Sequence, residues 1–213
     1  MTVVTQSFDI NCTRCKRLAD FLKKVRKEQP DYHALPVEPF GLKKPELLIV
    51  GLAPGMHGAN ATGRPFTGDY AGILLYETLY KFGFSNKPEA VSRDDGLKLK
   101  RCRITNAVKC LPPENKPTTQ EINVCNDFLR VELEELGNKL VIIALGTIAH
   151  KAVLRALDLK QSAYKFGHGA EHKLPTGQIL IDSYHCSRYN TSTKRLTPDM
   201  FYDVFKQAKS LLD

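Results

Sequence analysis

Residues 47–72 read LLIVGLAPGMHGANATGRPFTGDYAG. The opening run, Leu47, Leu48, Ile49 and Val50, is apolar and ends in the β-branched pair Ile49 and Val50, the pattern of a buried strand. Gly51, Gly55, Gly58 and Pro54 then forbid its continuation and predict a tight loop whose backbone can approach a ligand closely. Arg64, Phe66, Thr67 and Asp69 follow, placing a cation, an aromatic face, a hydroxyl and a carboxylate in one short loop. An apolar helical pattern resumes at Ile73. A strand ending in such a loop is the plan of a site at the carboxyl edge of an α/β sheet. The glycines match neither GxGxxG nor GxxxxGK[ST], so neither a dinucleotide fingerprint nor a phosphate loop is present.

Outward from this stretch, strands and helices alternate. Toward the N-terminus, Leu18, Phe21, Leu22 and Val25 mark one face of a helix whose other face carries Lys16, Arg17, Lys23, Lys24, Arg26 and Lys27. That basic face is either a solvated surface or the rim of a groove for a polyanion. Residues 29–45 hold four prolines and are expected to be an irregular connector. Toward the C-terminus, a helix is expected over 73–82 with Ile73, Leu74, Leu79 and Phe82 inward, then a polar loop over 85–100. Residues 103–108 (RITNAV) predict a short strand. Thr118 and Glu121 have capping-box spacing ahead of the stripe Ile122, Cys125, Leu129, Leu133 and Leu136. LVIIALG at 140–146 predicts another buried strand, 147–157 its helix, 167–177 a loop, and 178–184 the last strand. Thr197 and Pro198 suit the start of a final helix carrying Phe201, Val204, Phe205, Ala208 and Leu212. The alternation predicts a three-layer α/β fold around a largely parallel sheet, in one domain spanning 1–213.

Composition narrows the class. Hydrophobic residues make up 42% and charged residues 25%, as in an ordinary soluble protein. No apolar run approaches the ~20 residues of a membrane span, and the N-terminus lacks the basic start and apolar core of a signal peptide. The expected setting is cytoplasmic, without a membrane partner, as a monomer. A net charge of +8 favours polyanionic partners. Intracellular cysteines are metal ligands or reduced thiols more often than disulfides. Cys12 and Cys15 form a CxxC pair before a basic helix, a poor context for a redox motif, and Cys110 and Cys125 form a wider pair. Four thiolates from two separated places suit tetrahedral zinc or an iron–sulfur cluster, and the spacing leaves both open.

Chemistry-bearing residues sit at three strand ends: Phe66 and Asp69 after the first, Asn106 within the second, and His185 after the last. In a parallel sheet these ends converge on one crevice. A side-chain amide offers a donor and an acceptor together, matching a nucleobase edge. An aromatic ring offers stacking, a histidine offers a proton, and an aspartate orients water. The plain alternatives are a helix cap for Asp69, a satisfied buried amide for Asn106, a structural imidazole for His185, and solvated charge for Arg188, Lys194 and Arg195. At the level of function, a non-catalytic nucleic-acid binder or redox module with a metal site also accounts for the charge and the cysteines. A hydrolase of free nucleosides would gain little from a basic surface.

GLAPGMHGANATGRPFTGD, TNAVKC with Cys125, and HCSRYN followed by RLTP closely resemble the family 5 uracil-DNA glycosylases, iron–sulfur relatives of family 4. The resemblance runs from Cys12 to the final helix. It implies an α/β/α sandwich with a central four-stranded, mainly parallel sheet, and a structural [4Fe-4S] cluster on Cys12, Cys15, Cys110 and Cys125. It implies an enzyme that flips uracil, and other deaminated bases such as hypoxanthine, out of DNA and hydrolyses the N-glycosidic bond. Gly51, Leu52, Ala53, Pro54 and His57 would then line the base, Phe66 would stack on it, Asn106 would pair with its edge, and His185 would hydrogen-bond O2. Residues 187–195 would wedge into the duplex, with Ser187, Arg188, Asn190, Lys194 and Arg195 on DNA. Many members of the superfamily carry an acidic or amide residue in the first motif to position water. Alanine cannot do this, and the resemblance transfers that role to Asp69. Cys186 stands where the last motif commonly has proline.

Overall fold

The computed structural model describes residues 4–213, so the first three positions of the N-terminal stretch read for a leader lie outside the described residues. The sheet contains β1 (Phe40–Gly41), β2 (Leu47–Gly51), β3 (Cys102–Asn106), β4 (Val141–Leu145), β5 (Glu171–Lys173) and β6 (Ile179–Ser183). Its order is β1-β3-β2-β4-β6-β5. The strands β3, β2, β4 and β6 are mutually parallel, and β1 and β5 close the two edges antiparallel. The helices are α1 (Lys16–Glu28), α2 (Ala59–Thr62), α3 (Tyr70–Lys81), α4 (Thr119–Leu136), α5 (Thr147–Ala156), α6 (Arg188–Ser192) and α7 (Pro198–Ser210).

The layers follow from the two-residue period of the strands. Leu47 and Ile49 of β2 point to one face, where α3 and α7 pack with Leu75, Leu79, Phe201 and Phe205. Leu48 and Val50 point to the other, against Leu129 and Leu133 of α4 and Ala149 and Val153 of α5. Covered on both faces, β2 and β4 are apolar throughout. A third cluster lies under α1, where Leu18, Leu22 and Val25 meet Cys110, Cys125 and Phe128. The capping box forms as its spacing predicts, and Thr197 accepts from the Met200 amide at the start of α7. Among the described residues no helix is long and apolar enough to cross a membrane.

Several expectations need correction. The four-stranded sheet is the parallel centre of a six-stranded one. Its added edges, β1 inside the expected connector and β5 inside the expected loop, are two and three residues long, too short to show a period. Ile73 is not inward: it is 64% exposed, because α3 starts at Tyr70 and buries the stripe Gly72, Leu75, Tyr76 and Leu79 instead. The polar loop over 85–100 contributes Leu97 and Leu99 to the core. Residues 187–195 contain α6 rather than an open loop, because Ser187 caps it by accepting from the Asn190 amide. The basic face of α1 is largely spent within the protein. Lys16 pairs with Asp20 and Arg17 with Glu121, and Arg26 donates to the Ala34 carbonyl at 2.8 Å.

Candidate active site

The strand order places the site. The chain leaves β2 toward the face covered by α3, and leaves the neighbouring β4 toward the face covered by α5. Loops that part in opposite directions open a crevice at the carboxyl ends of the strands. Gly51 of β2 is in register with Asn106 of β3, so the glycine turn and the amide arrive side by side. A crevice of about 520 Å³ opens there, and its wall includes Ala53, Phe66, Asp69, Asn106, His185 and Arg188.

Each of these side chains is held by a local device. A Cβ built on Gly51 would lie 2.4 Å from Asn106 Oδ1 and 2.7 Å from Phe66 Cζ, so only glycine lets both groups sit over the strand end. Replacing Gly51 by alanine is therefore expected to displace Asn106 and Phe66, lowering turnover by at least ten-fold and the melting temperature by roughly 2–12 °C. Steady-state kinetics beside circular dichroism would check this. Phe66 itself has a left-handed backbone, φ 56°, a strained state for an aromatic residue. Its loop is braced on both sides. Tyr76 donates to the Pro65 carbonyl at 2.6 Å, and buried Arg64 makes a two-pronged ion pair with Asp95 at 2.9 and 2.7 Å while donating to Thr67 at 2.7 Å.

Asn106 is 3% exposed. Among the described residues its side-chain amide has no protein partner, so its donor and acceptor are both available to the crevice. His185 stacks on Phe66 with ring centroids 6.0 Å apart. Burial pushes its imidazole down to about 4, leaving it neutral at physiological pH. Asp69 occupies the N-cap position of α3 without capping it, which sets aside the plain reading of this residue. Its carboxylate instead accepts the Ala59 amide at 3.0 Å and fills the space that a Cβ on Gly55 or Gly58 would need. Burial raises its carboxyl above the ordinary range, and the Ala59 hydrogen bond opposes that rise.

Other expected site residues are scattered around this centre. Leu52 and Ala53 line the crevice, whereas Gly51 and Pro54 are buried behind it. His57 does not face it: the ring is exposed and bonded to the Tyr32 hydroxyl at 2.8 Å. Ser187 and Arg188 line the crevice, with the Arg188 guanidinium 5.7 Å from the Tyr70 ring centre. Asn190 donates to the His185 carbonyl at 2.8 Å and so steadies the histidine. Arg195 lies over Tyr184 at 4.8 Å, and Lys194 is exposed. Tyr70, Asn115 and Gly146 also line the crevice and escaped the sequence reading. Gly146, at the junction of LVIIAL and the next helix, carried a usable signal, since its φ of 93° requires glycine. Asn115, at φ 56° in a proline-flanked turn, carried none.

Cys12, Cys15, Cys110 and Cys125 converge around one small cavity beneath α1, with Lys109 beside them. The Lys109 amide donates to Cys125 Sγ at 3.2 Å. Burial, then the neighbouring thiols, push the Cys110 thiol up, and Cys15 rises to about 11 for the same two reasons. Four thiolates therefore need a positive centre among them to ionise together. No three of the four sulfurs lie within 4.8 Å of one another. Zinc at its usual ~2.3 Å Zn–S distance would hold them about 3.8 Å apart. Cys102 and Cys186 are buried in the core on the α3 and α7 side, away from this group.

Residues 38–209 match the model of the family described as "Uracil DNA glycosylase superfamily". The chain is similar to the type-5 uracil-DNA glycosylase of Thermus thermophilus, 46% identical over 205 residues that cover 94% of this chain and 93% of that protein. It is similar to the type-5 uracil-DNA glycosylase of Pyrobaculum aerophilum, 41% identical over 203 residues, 93% of this chain and 88% of that protein. A type-4 uracil-DNA glycosylase of Pyrobaculum aerophilum is 38% identical over 148 residues, 69% of this chain and 61% of that protein.

Proposed function

The chain belongs to the uracil DNA glycosylase superfamily, and from that membership we propose that it hydrolyses the N-glycosidic bond of 2′-deoxyuridine in DNA. The reading rests above all on the unspent amide of Asn106, which shares one crevice with Phe66 and His185. A base can reach this crevice only after it leaves the stack, a step that costs a few kcal/mol and least at a mismatch. Phe66 supplies the stacking face. Asn106 pairs with the polar edge, and its donor and acceptor suit the adjacent carbonyl and imide N–H of uracil. As the bond from C1′ to the base breaks, negative charge develops on the base, and the neutral His185 donates a hydrogen bond to it. Asp69 orients the water, whose oxygen bonds to C1′ and whose proton leaves toward the departing base or the carboxylate. The volume of the crevice also admits larger deaminated bases such as hypoxanthine. Among the described residues no lysine lines the crevice, so a Schiff base and strand cleavage are not part of this reading.

Cys12, Cys15, Cys110 and Cys125, which line one small cavity, would hold a [4Fe-4S] cluster. When bound, it supplies cross-links rather than chemistry on the base. Cys12→Ala is expected to lose visible iron–sulfur absorbance and to lower the melting temperature, with the loss of structure confined to α1 and its neighbours. Unchanged absorbance and melting would refute the assignment.

The test of function is base release from an end-labelled duplex with one U·G pair, in EDTA, followed by alkaline cleavage. Wild type should cleave at the uracil, and Asn106→Ala should be slower by about 100-fold or more. Salt-sensitive DNA binding without release would replace the enzyme reading with that of a binding module.

A further inference from the structure

A second group of ionisable side chains lies outside the crevice and away from the cysteines. His150 of α5, His172 of β5 and Asp182 of β6 each offer one ligand atom within 4.8 Å of the other two. The Asp182 side chain is fully buried, His150 is 2% exposed and His172 14%. His150 Nε2 lies 3.0 Å from the Tyr164 carbonyl, which can only accept, so this nitrogen carries a proton. Its other ring nitrogen, Nδ1, lies 2.7 Å from one Asp182 oxygen, and His172 Nε2 lies 3.1 Å from the other. A bare nitrogen lone pair does not face a carboxylate oxygen at these distances. Each gap holds a positive centre, either a proton or a metal ion.

We propose that His150 Nδ1, His172 Nε2 and the Asp182 carboxylate form a zinc site. Two imidazoles and a carboxylate are ligands that zinc accepts, and three elements of the fold deliver them. Tetrahedral zinc with bonds of about 2.0–2.2 Å holds its ligand atoms about 3.3–3.6 Å apart, so the 2.7 and 3.1 Å contacts open only slightly to admit it. The two rings are already disposed for one ion, with centroids 5.6 Å apart and planes at 63°. The surroundings supply the supporting bonds that metal ligands need. The Tyr164 carbonyl fixes the His150 ring, and the Gly167 amide donates to Asp182 Oδ2 at 3.4 Å. Phe166 packs edge-on against His150, and Tyr164 against His172, which makes the shell apolar. His172, the least buried of the three, marks the way in. Bound there, zinc would pin the three-residue edge strand β5 to α5 and to β6, the strand that leads to His185.

The test is zinc uptake by the purified protein, with its iron and sulfide assayed alongside. After incubation with excess zinc chloride and desalting, wild type should retain about one more zinc per chain than His172→Gln, whose amide can still donate to Asp182. Zinc K-edge absorption of wild type should show a nitrogen and oxygen shell at about 2.0–2.2 Å that includes two imidazoles. At zinc 100-fold above its dissociation constant, the melting temperature of wild type should rise by roughly 5–11 °C, and that of His172→Gln should not. Equal retention by the two proteins, or a zinc shell of sulfur without imidazole, overturns the site. Should His172→Gln fail to fold by circular dichroism, the absorption spectrum of wild type decides alone.

Discussion

His185→Ala is expected to slow uracil release by about 10²- to 10³-fold, the range for losing one positioned donor to a developing anion. The donor should be a neutral imidazole. Burial holds His185 at about 4, below an ordinary histidine near 6.5, and among the described residues no carboxylate or carbonyl accepts from its ring. The pH profile therefore carries the sharper test. A histidine that acted in its charged form at an ordinary pKa would lose activity as pH rises through about 6.5. Here no such falling limb is expected. The rate should instead rise with pH through the elevated carboxyl of Asp69, which must be ionised to take a proton, and then remain level past neutrality. The same shift links to stability. Because the folded pKa of His185 is depressed, the unfolded chain binds more protons between about 4 and about 6.5, so the fold weakens as pH falls through that window. A limb centred near 6.5 that vanishes in His185→Ala would show that the ring works charged.

Glu132→Ala is expected to destabilise the fold by about 3–5 kcal/mol, the usual loss when one member of a buried ion pair is removed. The Glu132 side chain is 1% exposed and Lys109 3%. One Glu132 oxygen accepts from Lys109 at 3.1 Å and from the Thr105 hydroxyl at 2.8 Å, and the other accepts from Arg103 at 2.8 Å. Burial alone would raise the carboxyl, but Lys109 and Arg103 reverse this and hold it below the ordinary glutamate range. That contribution is present above about pH 4.5 and disappears as pH falls through the depressed value. Alanine would strand a buried ammonium. At ~2–4 °C per kcal/mol for a chain of this size, the melting temperature should fall by roughly 6–20 °C. Pairing Glu132→Leu with Lys109→Met should recover most of the loss, since apolar replacement of a buried pair is often neutral. A loss below about 1 kcal/mol for Glu132→Ala would mean that water reaches the pair. Lys109 lies between Asn106 and Cys110 in the chain, so the wall of the crevice and the cysteine group share this support.

Much of this architecture was legible because its signals are local. Apolar runs of four or five residues mark strands buried on both faces, Thr118 and Glu121 satisfy amides within one turn, and the glycines at 51, 55 and 58 announce close approach. The places of Asn106 and His185 on the crevice were legible for a related reason, since each falls where a strand runs out. What escaped depends on partners remote in the chain. The edges β1 and β5 exist only through their pairing with β3 and β6. Arg64 finds Asp95 across 31 positions, and Lys109 finds Glu132 across 23. Ile73 reads as core because its residue type is apolar, yet the stripe that α3 buries was set by Leu75, Tyr76 and Leu79. His57 sits in a glycine-rich motif, but its ring turns to Tyr32 from an irregular segment.

The anchoring of α1 has a consequence in time. Arg14 reaches Val124 across 110 positions and Asp127 across 113, and Arg17 reaches Glu121 across 104. Closing so long a loop costs entropy before any contact is gained, so such contacts form late in folding. Until those contacts form, Cys12 and Cys15 are not beside Cys110 and Cys125. The four cysteines therefore come together only once the N-terminal helix has docked.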